Sequence, residues 1–415
     1  MTSNPLINLS NIPGFNKLLQ DNVEDNVEDN SKYLNVKQIN THEKYKVIKY
    51  NKSLLDNNTI SSYGLCRSVI VNNFNQVVCF SPPKSIPFET FIQLYNIECK
   101  NVIAQELVEG TMINLFWNKT CWEISTRNIV GAYTIFYKTT SEKIKTFRDM
   151  FFYAAQYIGL KIDLLDKKYS YSFVLQYPGN RIVVPIDYPN LYLIAVYTIH
   201  KSNVTKSDSN NIIVEVNDVE EIIKMDFFKN TNVLLPKIYN YSTYSELIDT
   251  YASINTEFTV LGFVLYNKTT GQRAKVRNPR YLAIKELKGT QPNTQLHYLW
   301  LRKENKVSAF LEYYPEYKNE FSKYRQQIHA FTNALFQNYI SCYIKKEKKL
   351  LYFSDEFRTN MFKLHKIYLD ELKDQNLYIT KEKVIFYVNN LDPILLMHCV
   401  NFRKNELKRE LERCL

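Results

Sequence analysis

Residues 171–199 read YSFVLQYPGNRIVVPIDYPNLYLIAVYTI, and this stretch decides how the first two thirds of the chain is read. Its three runs, YSFVLQY, RIVVPI and LYLIAVYTI, are rich in β-branched and aromatic residues and are each read as a strand. Toward the N-terminus the same character continues in KYKVIKY, in RSVIVNN with QVVCF, and in TMINLFW with CWEIST. Polar breaks such as NNFN and NKT split the last two pairs, which predicts antiparallel hairpins. Between these runs Lys145–Leu160 places Phe147, Phe151, Ala154, Ala155 and Ile158 on one helical face. Toward the C-terminus, helices over Val214–Phe228 and Thr243–Ala252 lead to strands at FTVLGFVLYN and RAKVRN.

From Tyr298 onward the pattern is helical, with three to five segments and a stripe of Phe321, Tyr324, Ile328, Phe331 and Leu335 that marks a core face. The turn-rich KGTQPNTQL is read as the domain break. The expected organisation is an N-terminal segment (1–44), an α+β domain (45–290) and an all-α C-terminal domain (291–415). The repeat DNVEDNVEDN at 21–30 lacks apolar periodicity and is expected to be a solvated tail.

Composition narrows the function classes. The 415 residues are 45% hydrophobic and 23% charged, which is enough apolar chain for a real core. Only 9 Gly stand against 32 Tyr and 24 Phe, which disfavours a glycine-cradled phosphate site. No apolar run reaches membrane-spanning length, and MTSNPLINLSNIPGF lacks the features of a secretory signal. The seven cysteines are scattered and form no CxxC, so we expect reduced thiols, no zinc site and a cytoplasmic location. No HExxH, GxSxG or GxxxxGK[ST] occurs, and the net charge of +11 favours an acidic ligand. The abundance of Asn, Lys, Ile and Tyr fits an AT-rich genome such as that of a large DNA virus.

In chain order, GLCRSVIV, ELVEGTMI, EISTRN, FVLQYPGNRIVV, VLGFVLYN and AKVRNPRYL run from about Tyr63 to Tyr281. This series resembles the motifs of the covalent nucleotidyltransferases, most closely the phage-type RNA ligases; the mRNA capping guanylyltransferases belong to the same superfamily. The resemblance implies an ATP-grasp-like fold of antiparallel sheets with helices. It also implies a family-specific RNA-engaging domain in the helical third.

The departures fall on reactive positions. Aligned on Glu109-Gly110-Thr111, the family's nucleophilic lysine is Leu107, which has no lone pair to attack a phosphate. The nearest lysines in sequence are Lys100 and Lys119. Two family carboxylates fall on Val174 and Leu261, which offer no hard oxygen to magnesium. The anion-binding positions are kept: Arg67, Arg127 and the pair Lys275 and Arg277 carry positive charge, and Glu109 replaces the motif aspartate. Lys345, Lys346, Lys348 and Lys349, interleaved with tyrosine, are expected to meet RNA backbone.

Loss of the lysine therefore implies a protein that is not an enzyme, uses no cofactor or metal, and binds RNA at a 5′ end or single strand. The apolar substitutions fit recognition of a capped end in a viral RNA-processing or translation complex with protein partners. Two alternatives stand beside this: an ATP- and magnesium-using RNA ligase in which another lysine serves, and an interaction subunit with a vestigial pocket.

Overall fold

The computed structural model describes residues 4–19, 32–41, 43–97, 99–135, 146–201 and 211–414. The acidic repeat at 21–30 lies outside these residues. The described chain divides between Glu286 and Leu287 into two compact units.

The first unit carries the strands β1 (Leu6–Asn8), β2 (Leu34–Asn40), β3 (Lys44–Tyr50), β4 (Val69–Val71), β5 (Val77–Phe80), β6 (Val102–Glu106) and β7 (Thr111–Trp117). It continues with β8 (Trp122–Ser125), β9 (Tyr169–Gln176), β10 (Asn190–Lys201), β11 (Ile212–Asn217), β12 (Ile238–Tyr239), β13 (Gly262–Asn267) and β14 (Arg273–Arg277). They form three antiparallel sheets ordered β1-β11-β10-β9-β7-β8, β12-β6-β13-β14 and β2-β3-β4-β5. The helices are α1 (Phe88–Leu94), α2 (Phe147–Tyr157), α3 (Val219–Ile222), α4 (Tyr244–Tyr251) and α5 (Pro279–Lys288). The α+β reading holds.

Apolar periodicity explains the packing. In α2, Phe147, Phe151, Ala154 and Ala155 are buried against Ile113, Leu115, Phe173 and Leu193 of the large sheet. A capping box of Thr146 and Asp149 starts that helix by satisfying free backbone donors. The four-stranded sheet containing β6, β13 and β14 buries Ala104, Phe263, Leu265 and Ala274 with Phe91 of α1 and Leu247 of α4.

Three readings are corrected. RIVVPI is not a strand, because the Glu109 side chain from a neighbouring turn captures its amides. Val214–Asn217 completes β11, and only Val219–Ile222 beyond it is α-helical. The alternation of Ile212, Val214 and Val216 on one buried face is a strand period, which wins over the helix reading. The N-terminal segment is integrated: β1 pairs with β11, β2 pairs with β3, and Leu9, Ile12 and Phe15 are buried. The expected final strand RAKVRN is β14, and Pro279–Lys288 beyond it forms α5.

The second unit comprises α6 (Thr294–Lys303), α7 (Val307–Tyr313), α8 (Lys318–Tyr339), α9 (Asp355–Ile367), α10 (Lys381–Asn390) and α11 (Pro393–Cys414). Phe321, Ile328, Phe331 and Leu335 of α8 are buried as the stripe requires. No helix among the described residues is long and apolar enough to cross a membrane.

Two glycines let strands approach closely. Gly262 has φ +127°, and a Cβ there would stand 2.1 Å from the Val276 carbonyl oxygen on β14. Gly110 has φ +149°, and its Cβ would stand 2.4 Å from the Leu175 carbonyl oxygen. Gly262→Ala is expected to destabilise the chain by about 2–3 kcal/mol, from left-handed strain and forced strand separation. Urea unfolding measures this; an unchanged midpoint would contradict the described β13–β14 contact.

Candidate functional site

A cleft of about 380 Å³ opens in the first unit between the six-stranded sheet and the sheet of β6, β13 and β14. One wall comes from Met112 of β7, Val174 of β9, Ala195 and Tyr197 of β10 and Val216 of β11. The other comes from Gln105 of β6, Leu107 just beyond it, Val264 and Tyr266 of β13, and Arg273 and Lys275 of β14. Its volume is in the range of small-molecule sites.

The strand registers fix where the amine of Lys275 can act. Val264 pairs with Lys275 on one side and with Gln105 on the other. Directly paired residues point to the same face, and neighbouring strands are about 4.8 Å apart. Lys275 therefore shares the cleft face with Gln105, two strands away. Leu107 follows two positions later and also lines the cleft.

Strand alternation puts Arg273, Lys275 and Arg277 on one face of β14. Arg273 is buried and held in place: its Nε donates to the Pro83 carbonyl at 3.1 Å, and its Nη2 donates to the same oxygen at 2.8 Å and to the Pro82 carbonyl at 3.4 Å. Those carbonyls orient the guanidinium without neutralising it. Burial and then Arg67 lower its pKa to about 10. Burial lowers Lys275 to about 6, reinforced by Arg273, Arg67, Arg277 and Lys84. The strongest charges acting on it are basic. The second cleft lysine, Lys268, has acids nearby, with Glu220 at 3.5 Å and Asp218 at 4.0 Å.

The expected binding residues separate into groups. Leu107, Val174 and Lys275 line the cleft; Arg67, Arg127, Arg277 and Leu261 are not among its lining side chains. Arg67 and Arg277 act on Lys275 electrostatically, and Arg127 acts in turn on Arg67. Arg127 lies 5.0 Å from the Tyr50 ring centroid, and its Nε is buried without a hydrogen-bond partner among the described residues. Lys345, Lys346, Lys348 and Lys349 are exposed after α8 in the second unit, where Lys345 lies 3.6 Å from Glu347. Trp117, Trp122 and Trp300 are absent from the cleft lining, and Trp122 packs in the core beside α2.

Glu109 is corrected from a ligand contact to a structural clamp. Its carboxylate accepts the amides of Ile182 at 3.0 Å, Val183 at 3.0 Å on both oxygens, and Val184 at 3.1 Å. The carboxylate is buried and its oxygens are spent on the segment read as a strand. Charge-assisted bonds to three successive amides explain why RIVV makes no ladder. Arg273 is the cleft residue that sequence reading missed. The period-2 spacing of basic residues in RAKVR was the available signal.

No family model matches the chain. It is similar to an RNA ligase of Rhodothermus phage RM378, with 24% identity over 291 residues; this is 63% of the chain and 64% of the relative, so less than two thirds of that protein is spanned. Among solved structures, it is similar to Naegleria gruberi RNA ligase with pyrophosphate (11% identity, TM-score 0.35, 49% of this chain and 57% of that one). It is also similar to a lysine-to-alanine variant of that ligase with ATP and Mn (11%, TM-score 0.35, 50% and 58%). The sequence match and the ordered motifs support an RNA-ligase-like nucleotidyltransferase superfamily for this chain. The expectation of a non-enzyme is overturned by that match, because the phage relative is named for catalysis. Leu107 alone is no argument for inertness, since the cleft also holds Lys275, two strands away on β14.

Replacing Glu109 with Ala leaves three buried amides short of an acceptor and is expected to cost about 3 kcal/mol. Denaturant unfolding checks this, with Glu109→Gln retaining part of the loss. Wild-type stability in the Ala variant would contradict the clamp.

Proposed function

We propose that this chain is an ATP-dependent RNA ligase, acting on RNA ends that carry a 5′ phosphate. The observation that supports it most is the basic face formed by Arg273 and Lys275 in the cleft, with Arg67, Arg277 and Lys84 acting on Lys275. A triphosphate brings the negative charge that this face lacks, through charge-assisted hydrogen bonds and point-charge attraction. Leu107, Val174 and Met112 give the cleft an apolar part suited to a base, and Tyr197 and Tyr266 add aromatic surface. The name of the phage relative supports RNA as the polymer joined.

Magnesium is the metal that the resemblance implies. The family's acid positions are Val174 and Leu261, and no group of three or more His, Cys, Asp or Glu among the described residues is arranged to hold a metal ion. A protein cage for magnesium does not fit this donor set, so no step here runs through one. This chain's own residues attract the polyphosphate and hold it against the β14 face.

The test is joining of a 5′-phosphorylated RNA to a 3′-hydroxyl end with ATP in magnesium buffer. Joined RNA is expected from the intact chain, and 5′-hydroxyl RNA is expected to stay unjoined. Arg67→Glu is expected to lower joining by roughly 100-fold, since it places an acid against Lys275 and repels phosphate. Absence of both joined RNA and an adenylated intermediate would overturn the proposal.

A further inference from the structure

We infer that Lys275 on β14 is the residue that becomes nucleotidylated, taking over from the strand position at which Leu107 stands. This rests on the ligase reading above and names the catalytic residue of that same site. Three observations carry it, and each concerns placement.

First, the register sets Lys275 and Gln105 on one cleft face with Val264 between them, and Leu107 lines the same cleft two residues beyond Gln105. The four-carbon stem of lysine gives its amine reach across part of the two-strand gap. Second, the cleft lines only two lysines among the described residues, and Lys268 has Glu220 and Asp218 beside it. An ion-paired ammonium has no lone pair to donate. The strongest charges acting on Lys275 are basic.

Third, every charged group acting strongly on Lys275 is basic. Arg273 and Arg277 flank it on β14, Arg67 follows the turn before β4, and Lys84 precedes α1. From the facing elements, Tyr197 of β10 and Tyr266 of β13 are held neutral by burial, Tyr266 with a pKa of about 12. The acids Glu106, Asp218, Glu220 and Glu221 also line the cleft, and the strongest influences on Lys275 are nonetheless the basic groups. A lysine desolvated beside other cations is a recognised way to expose a nucleophilic amine. Its lowered pKa agrees with this placement.

The step balances without an added redox partner. The neutral Lys275 Nζ attacks the α-phosphorus of a nucleoside triphosphate and an Nζ–P bond forms. The bridging P–O bond to the β-phosphate breaks, pyrophosphate leaves with the electron pair, and Nζ gives one proton to solvent. The product is a lysine phosphoramidate, which an RNA 5′-phosphate oxygen can then attack.

The experiment incubates the full chain with α-labelled ATP in magnesium buffer, resolves it on a denaturing gel and maps the adduct by peptide mass spectrometry. The expected result is AMP on the peptide containing Lys275, stable to alkali and released by acid. Lys275→Arg, which keeps a basic side chain at the position and loses the amine nucleophile, is expected to reduce label to background, with the melting temperature measured alongside. Lys100→Ala, at the nearest lysine in sequence to Leu107, is expected to label as wild type. Mapping on the unsubstituted chain decides the matter even if the Arg variant fails to fold. AMP on Lys268 or any other lysine would overturn this inference and leave the ligase reading standing. Complete absence of label from the wild-type chain would overturn both.

Discussion

The cleft is governed by one imbalance: several positive charges converge on β14 and dominate the field at Lys275. Arg273 is the fixed member, locked by the carbonyls of Pro82 and Pro83, so it cannot swing away from Lys275. Arg67, Arg277 and Lys84 add to the same field. Like charges in a partly desolvated site cannot all remain protonated cheaply, and lysine gives up its proton far more readily than arginine. The same arrangement that favours a polyphosphate therefore leaves one amine free to react with it.

Backbone constraints create the room in which this happens. Gly110 and Gly262 permit approaches that a Cβ would block, and they bring β7 against β9 and β13 against β14. Glu109 then folds the segment after β9 back onto the turn between β6 and β7 through Ile182, Val183 and Val184. The residues that resemble ligase motifs thus divide the labour. Some line the cleft, some charge it, and Glu109 holds its frame.

Much of the fold was legible because its strands alternate or run apolar: β3, β7, β9, β10, β13 and β14 fall where β-rich runs stand. The α8 stripe was legible for the same reason at helical period. What failed depended on contacts distant in sequence. RIVV has every local mark of a strand, yet its amides go to a carboxylate more than seventy positions earlier. The Val214 segment turned out to be β because it pairs with β10 and with the N-terminal β1. At the site, reading along one strand showed Leu107 and an apparent loss of chemistry. Lys275 lies beside it only through the lateral register of β6, β13 and β14, which no linear spacing encodes.

The central claim is that burial and the surrounding basic cluster hold Lys275 as a neutral amine. The pH dependence of acylation by a small amine-specific reagent, mapped lysine by lysine in the folded chain without nucleotide, tests it most directly. A lowered pKa means that the reactive form grows in as pH rises, with a midpoint near 6 for Lys275. Exposed lysines in general gain reactivity only near about 10. Lys275 titrating together with those surface lysines would contradict the account.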